Sequence, residues 1–187
     1  MLALFGAALL LTLPACFGPP RLNDSFWIDW VWLDQFAREL ASGNLYPRWL
    51  PLSHHGLGSP VFYYYPPLAF YLGSLFVLAG LTTYAAVIAT FSTAYLLSGA
   101  AMYLWLRSQS KMPLTGSLIY MAAPYHAFNF YVRGALAEAL ATAIIPLVLL
   151  GLRKLGRGER GGFALSAGSY AALIITHLPL ALLARSE

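Results

Sequence analysis

The chain has 187 residues, of which 59% are hydrophobic and 10% charged, with a mean hydropathy of +0.66 and a formal net charge of +4. A soluble domain carries about 25% charged residues, so this composition reads as an integral membrane protein. Its basic residues lie in short clusters between apolar runs, which speaks of topology and against a nucleic-acid surface, and its single cysteine, Cys16, excludes an intrachain disulfide and a thiolate metal cluster.

In chain order, Met1 to Phe17 is an apolar stretch just long enough to span, since a membrane helix needs roughly 17–25 residues. Its end, "LTLPAC", loosely resembles a lipoprotein cleavage box, but the basic start of a signal peptide is missing. A first transmembrane helix is the favoured reading. Residues 18–66 then form a loop holding Asp24, Asp29, Asp34 and Glu39, four of the chain's seven acidic residues. Within it Phe26, Trp30, Leu33, Phe36, Ala37 and Leu40 recur at three- and four-residue steps, which predicts an amphipathic helix. Gly43-Asn44 suits its C-cap. Its Trp-rich face is expected at the membrane interface, with the carboxylates towards water.

Residues 67–81 are too few to cross and read as a juxtamembrane or re-entrant helix. Tyr84 to Leu106 is a full span, and Pro113 to Val132 is long enough but interrupted by Pro124. Ala135 to Leu152 and Phe163 to Ala184 complete the set. The expectation is an all-α polytopic fold of about five spans, forming one transmembrane domain over residues 1–187. Arg107 and Lys111 follow one span, and Arg153, Lys154, Arg157 and Arg160 follow another two crossings later. Both clusters therefore share a face, which charge bias makes cytoplasmic. The acidic first loop and the loop at Arg133 then lie outside a multi-pass inner-membrane protein.

Several side chains invite a functional reading beside a plain one. Glu138 lies about a turn inside an apolar helix, where an ionisable residue is costly and so a functional candidate. Arg133 sits just outside that helix, where a guanidinium can grip a lipid phosphate. Five residues apart, the two are poorly aligned for a direct pair on one helix and are expected to aim at a shared ligand or at the first loop, or, in the plain reading, to form a structural ion pair with another segment. His126 sits near enough in sequence to join them. His177 precedes the kinking Pro179 and reads as structural, bonded to a freed carbonyl. Adjacent His54 and His55 offer loop hydrogen bonds to a phosphate or sugar, or no more than a loop role. Arg48 offers a phosphate contact or a headgroup anchor, and Tyr63, Tyr64 and Tyr65 a sugar platform or an interfacial belt. Asp34 and Glu39 read as a solvated face pairing with Arg38. No metal-ligand set, P-loop, dinucleotide fingerprint or serine elbow is present.

"GNLYPRW", "GLGSPVFYYYPPLAFYL" and "YVRGALAEALA" together resemble the bacterial membrane proteins called 6-pyruvoyl-tetrahydropterin-synthase-related. The chain has no His triad at ligand spacing, so the zinc chemistry of a soluble pterin synthase is not expected. More broadly, the layout is similar to the N-terminal part of GT-C glycosyltransferases. That likeness implies sugar transfer from a polyprenyl-phosphate carrier at the outer membrane face. It also implies a carboxylate just beyond the first helix that takes the acceptor's proton or helps hold a divalent metal. Asp24 matches that place first and Asp29 second; plain readings are a helix N-cap for Asp24 and a solvated face for Asp29. The candidate substrate-binding residues are Arg133, Glu138, Arg48, His54, His55, Tyr65 and His126, with membrane lipids and the lipid-linked sugar as expected partners and no nucleic acid. A non-catalytic binding or transport protein, or an inactive truncated transferase, are the alternative expectations.

Overall fold

A computed structural model describes residues 1–18 and 25–184. The fold is all-helical, and among the described residues the only extended pairing is an isolated antiparallel bridge between Leu50 and Ser59. The helices are α1 (Leu2–Thr12, continued by a 3-10 turn, Leu13–Phe17), α2 (Phe26–Ala41), the one-turn α3 (Ser53–Gly56) and α4 (Val61–Tyr64), α5 (Leu68–Leu78) and α6 (Thr83–Leu106). They are followed by α7 (Pro113–Met121), α8 (Pro124–Ala127) running into a π-helix (Phe128–Arg133), α9 (Leu136–Gly156), α10 (Gly162–Ile174) and α11 (Leu178–Leu183).

Among the described residues two helices, α6 and α9, are long and apolar enough to cross a membrane. At 1.5 Å per residue they reach about 36 and 32 Å, against a hydrocarbon core of roughly 30 Å. The other expected spans are shorter or divided. Residues 113–132 break at Pro124, and residues 163–184 break before Pro179, because a proline cannot donate to the carbonyl four residues back. With 11 residues, α5 covers only about 16 Å.

Two freed carbonyls are reused by neighbouring elements. Pro146, inside α9, leaves Thr142 O without its helical donor, and the Tyr120 hydroxyl donates to it at 2.8 Å. Pro179 leaves Ile175 O free, and the Leu68 amide donates to it at 3.0 Å, tying the start of α5 to the end of α10. Among the described residues, His177 bonds no freed carbonyl. Its Nδ1 accepts from Leu180 N at 3.3 Å and caps α11.

Close approach of backbones sets the packing. A Cβ on Gly151 would stand 2.6 Å from the Ser166 amide nitrogen, and one on Gly162 would stand 2.5 Å from that of Leu155. Glycine there lets α9 and α10 touch main chain to main chain, as small residues do between membrane helices. Against α6, α1 runs antiparallel: Ser92 donates to Thr12 Oγ1 at 2.9 Å and Tyr84 to Ala15 O at 2.8 Å. The ends of α6 and α9 meet where the Arg153 guanidinium donates to Ser108 O at 3.2 Å and to Ser108 Oγ. The two basic clusters thus lie at one end of the fold.

The predicted face of α2 is apolar as expected, but it does not face lipid. Phe26, Leu33, Phe36 and Ala37 are buried against α5 and α6, beside an aromatic cluster in which Phe62 meets Phe36 and Phe70 edge to face at 4.7 and 4.9 Å. The outward side carries Trp27, Ile28 and Val31, each about half exposed. The helix ends as expected: Gly43 takes φ +96°, and Asn44 N donates to Glu39 O at 3.0 Å.

Candidate functional site

At the end opposite the basic clusters, three chain segments meet at the start of α9. The π-helix stops at Gly134, whose φ +65° and ψ +28° lie in the left-handed region that a residue with a Cβ resists. Asn129 O takes both the Gly134 and the Ala135 amides, and the chain reverses into α9. The N-cap residue Ala135 has no side chain to satisfy the helix's first donors. Asp29, from α2, does so instead: Leu136 N donates to Asp29 Oδ2 at 3.1 Å. A second tie lies beside it, Ser25 N donating to Arg133 O at 2.8 Å.

Asp29 is therefore not on a solvated face. It is 2% exposed, and its carboxyl is pushed from 3.8 up to about 7. Burial is the larger cause and raises it. The Leu136 hydrogen bond lowers it, as does any carboxylate-favouring contact at a helix N-terminus, yet desolvation wins.

Glu138 is buried one turn into α9, and Arg133 pairs with it directly. The expectation of poor alignment assumed one continuous helix. Gly134 instead ends one helix and starts another, so the two residues approach across a bend. The Tyr125 hydroxyl donates to Glu138 Oε1, and Arg133 Nη1 also donates to Asn129 Oδ1 at 3.0 Å. Tyr125, Asn129 and Arg133 fall four residues apart, a spacing visible in the sequence. The π-helical turn, which is common at functional sites, was not visible there.

Tyr65 borders the cluster. Its hydroxyl titrates higher than usual, first through burial and then through the Asp29 and Glu138 charges, while its ring packs on Trp32 at 5.4 Å. His126 is buried too, but its ring lies against Tyr120 at 4.8 Å and Tyr95 at 5.7 Å, and it makes no bond with the Arg133–Glu138 pair among the described residues.

Other candidates stand apart from the cluster. His54 and His55 are exposed and left-handed (φ +50° and +58°) in a loop that Gln35 holds by accepting from Leu52 N at 2.9 Å. The Arg48 guanidinium stands over the Tyr46 ring at 4.6 Å and the Tyr63 ring at 5.7 Å. Asp34 pairs with Arg38 at 2.8 Å and also accepts from Thr83 at 3.0 Å, whereas Glu39 takes Asn44 Nδ2 rather than Arg38. A cleft of about 600 Å³ opens beside Trp30, Asp34, Arg38 and Thr83, and Asp29 does not line it. Asp24 lies outside the described residues.

No three His, Cys, Asp or Glu side chains gather among the described residues. Both Glu138 oxygens are engaged, by Tyr125 and Arg133, so the described donors do not by themselves make up a cation site.

These features define an all-helical membrane protein with a buried acid–guanidinium cluster where α2 meets the start of α9. Residues 62–185 match the model of the family described as 6-pyruvoyl-tetrahydropterin synthase related domain, a membrane protein, and the chain belongs to that family. The match includes Tyr65, Arg133 and Glu138; Asp29 lies before it. No curated protein and no solved structure matches the chain.

Proposed function

We propose that this chain works in sugar transfer from a polyprenyl-phosphate carrier, with the α2–α9 cluster as its site on the extracytoplasmic side of a multi-pass inner-membrane protein. The observation that carries this reading is Asp29, a carboxyl buried at the start of α9 with a pKa of about 7. A general base works best when its pKa lies near the working pH. In this reading Asp29 takes the proton of the acceptor hydroxyl. The hydroxyl oxygen bonds to the anomeric carbon, and the bond from that carbon to the phosphate oxygen breaks. The electron pair leaves with the polyprenyl phosphate, which Arg133 holds. Arg133 suits that part because its side chain is 38% exposed, whereas Glu138 behind it is buried. Glu138, Tyr125 and Asn129 would orient the guanidinium.

The resemblance to GT-C enzymes adds an expected acid in the first loop, for which Asp24 also stands. A second reading, a non-catalytic binding or transport protein, is favoured by the direct Arg133–Glu138 pair, in which the two charges engage each other.

The test is binding of a short-chain undecaprenyl-phosphate analogue to the protein in nanodiscs, followed by a sugar-transfer assay. The transferase reading expects saturable binding that Arg133→Ala abolishes, and Asp29→Asn to keep binding while losing transfer. Binding without transfer in the wild type supports the second reading. No binding by a folded wild type overturns both for this cluster.

A further inference from the structure

The opposite end of the fold holds a pocket of another kind. Between the last turns of α6 and α9 lies a cavity of about 170 Å³ that brings together Arg107, Arg153, Lys154 and Arg157, with Glu159 as its one carboxylate. Arg107 caps the end of α6, while Arg153 and Lys154 lie in the last turn of α9 and Arg157 caps it. Arg153 ties them together by donating to Ser108 O at 3.2 Å, so the turn after α6 is pinned to the end of α9. Glu159 is taken by Lys154 at 3.5 Å. Arg107 and Arg157 are exposed and make no ion pair or side-chain hydrogen bond among the described residues. Four cations against one carboxylate leave an excess of positive charge that the described residues lining the pocket do not balance.

We infer that this pocket binds the phosphate headgroup of an anionic membrane lipid. Its volume suits a phosphate-sized group, where drug-sized ligands occupy roughly 300–1,000 Å³. Arginine forks match phosphate oxygens in pairs, and basic pockets between membrane helices on the cytoplasmic side hold anionic headgroups. Position favours a lipid over a soluble anion. The pocket lies at the ends of the two described helices long enough to span, and Leu104 and Leu150 complete its wall with apolar side chains that acyl chains would meet.

The experiment uses the full chain in a neutral detergent and titrates dihexanoyl-phosphatidylglycerol, dihexanoyl-phosphatidylcholine and free glycerol phosphate, reading the thermal unfolding midpoint. The expected result is a saturable rise with phosphatidylglycerol alone. It weakens about 30-fold in the Arg107→Gln, Arg157→Gln double variant, from two surface cations near an anionic headgroup. Both positions are exposed and unpaired, so the lipid-free midpoint should barely move, and it serves as the folding control. Lys111→Gln removes a cation outside the pocket and should leave the titration unchanged. Equal response to phosphatidylcholine, or a preference that survives the double variant, overturns the site. An equal loss in Lys111→Gln overturns the pocket in favour of diffuse charge. Glycerol phosphate acting at the same concentration as the lipid overturns the lipid source. The polyprenyl-phosphate test at the other end is independent of each outcome.

Discussion

Asp29 and Leu136 are joined across 107 positions of sequence: the Leu136 amide, first donor of α9, bonds the Asp29 carboxylate of α2 at 3.1 Å. A helix that lacks a side-chain cap of its own is thus capped by another helix. The same contact fixes α2 beside Arg133 and Glu138.

A pH dependence follows from that carboxyl. In the unfolded chain it titrates near 3.8 and in the fold near 7, so between these values the folded state holds the extra proton. Its contribution to stability is complete below about pH 4 and is lost as pH rises to about 7, on the order of a few kcal/mol. Asp29→Asn keeps an acceptor for Leu136 N and has no charge to bury. Denaturation in detergent from pH 4 to 8 should show wild type falling relative to Asp29→Asn over this window. Parallel curves would refute the assignment.

Removing one partner of the Arg133–Glu138 pair should cost more than removing both. Arg133→Ala leaves a buried carboxylate facing Tyr125 alone. Since fully buried pairs cost about 3–5 kcal/mol to break and Arg133 is partly exposed, roughly 1–3 kcal/mol is expected. Arg133→Ala with Glu138→Gln should recover much of that loss. A double-mutant cycle measures the coupling, and additive losses would show the pair to be energetically idle.

Tyr120 and Pro146 should be coupled through one carbonyl. Tyr120→Phe removes the donor to Thr142 O, a net loss of about 1 kcal/mol. In a Pro146→Ala background the new amide can close the helical bond to Thr142 O, and Tyr120→Phe should then cost distinctly less. Equal costs in both backgrounds would mean that the hydroxyl does not serve the proline break.

Orientation can be read with single cysteines. In a Cys16→Ser background, His54→Cys lies in the exposed loop after α2, and Gln109→Cys lies beside Ser108 at the basic end. A membrane-impermeant maleimide added to intact cells should label His54→Cys and spare Gln109→Cys, because positive loops stay inside. The reverse pattern would turn the protein over and move the proposed sugar-transfer site to the cytoplasm.

Composition and periodicity determined that this is a helical membrane protein, where its long apolar helices lie, and that α2 has one apolar face. These are local properties, written in residue type and spacing. The basic clusters likewise announced a common end before Arg153 was seen to reach Ser108. Only the tertiary structure decided what the apolar face of α2 covers. It is a protein core, because α5 and α6 pack against it. The burial of Asp29 and its partner in α9 were equally out of reach, since neither residue is near the other in sequence. The Arg133–Glu138 pair turned on one backbone conformation at Gly134. A five-residue spacing measures distance along a continuous helix, and a left-handed glycine between two helices changes that distance without changing the spacing.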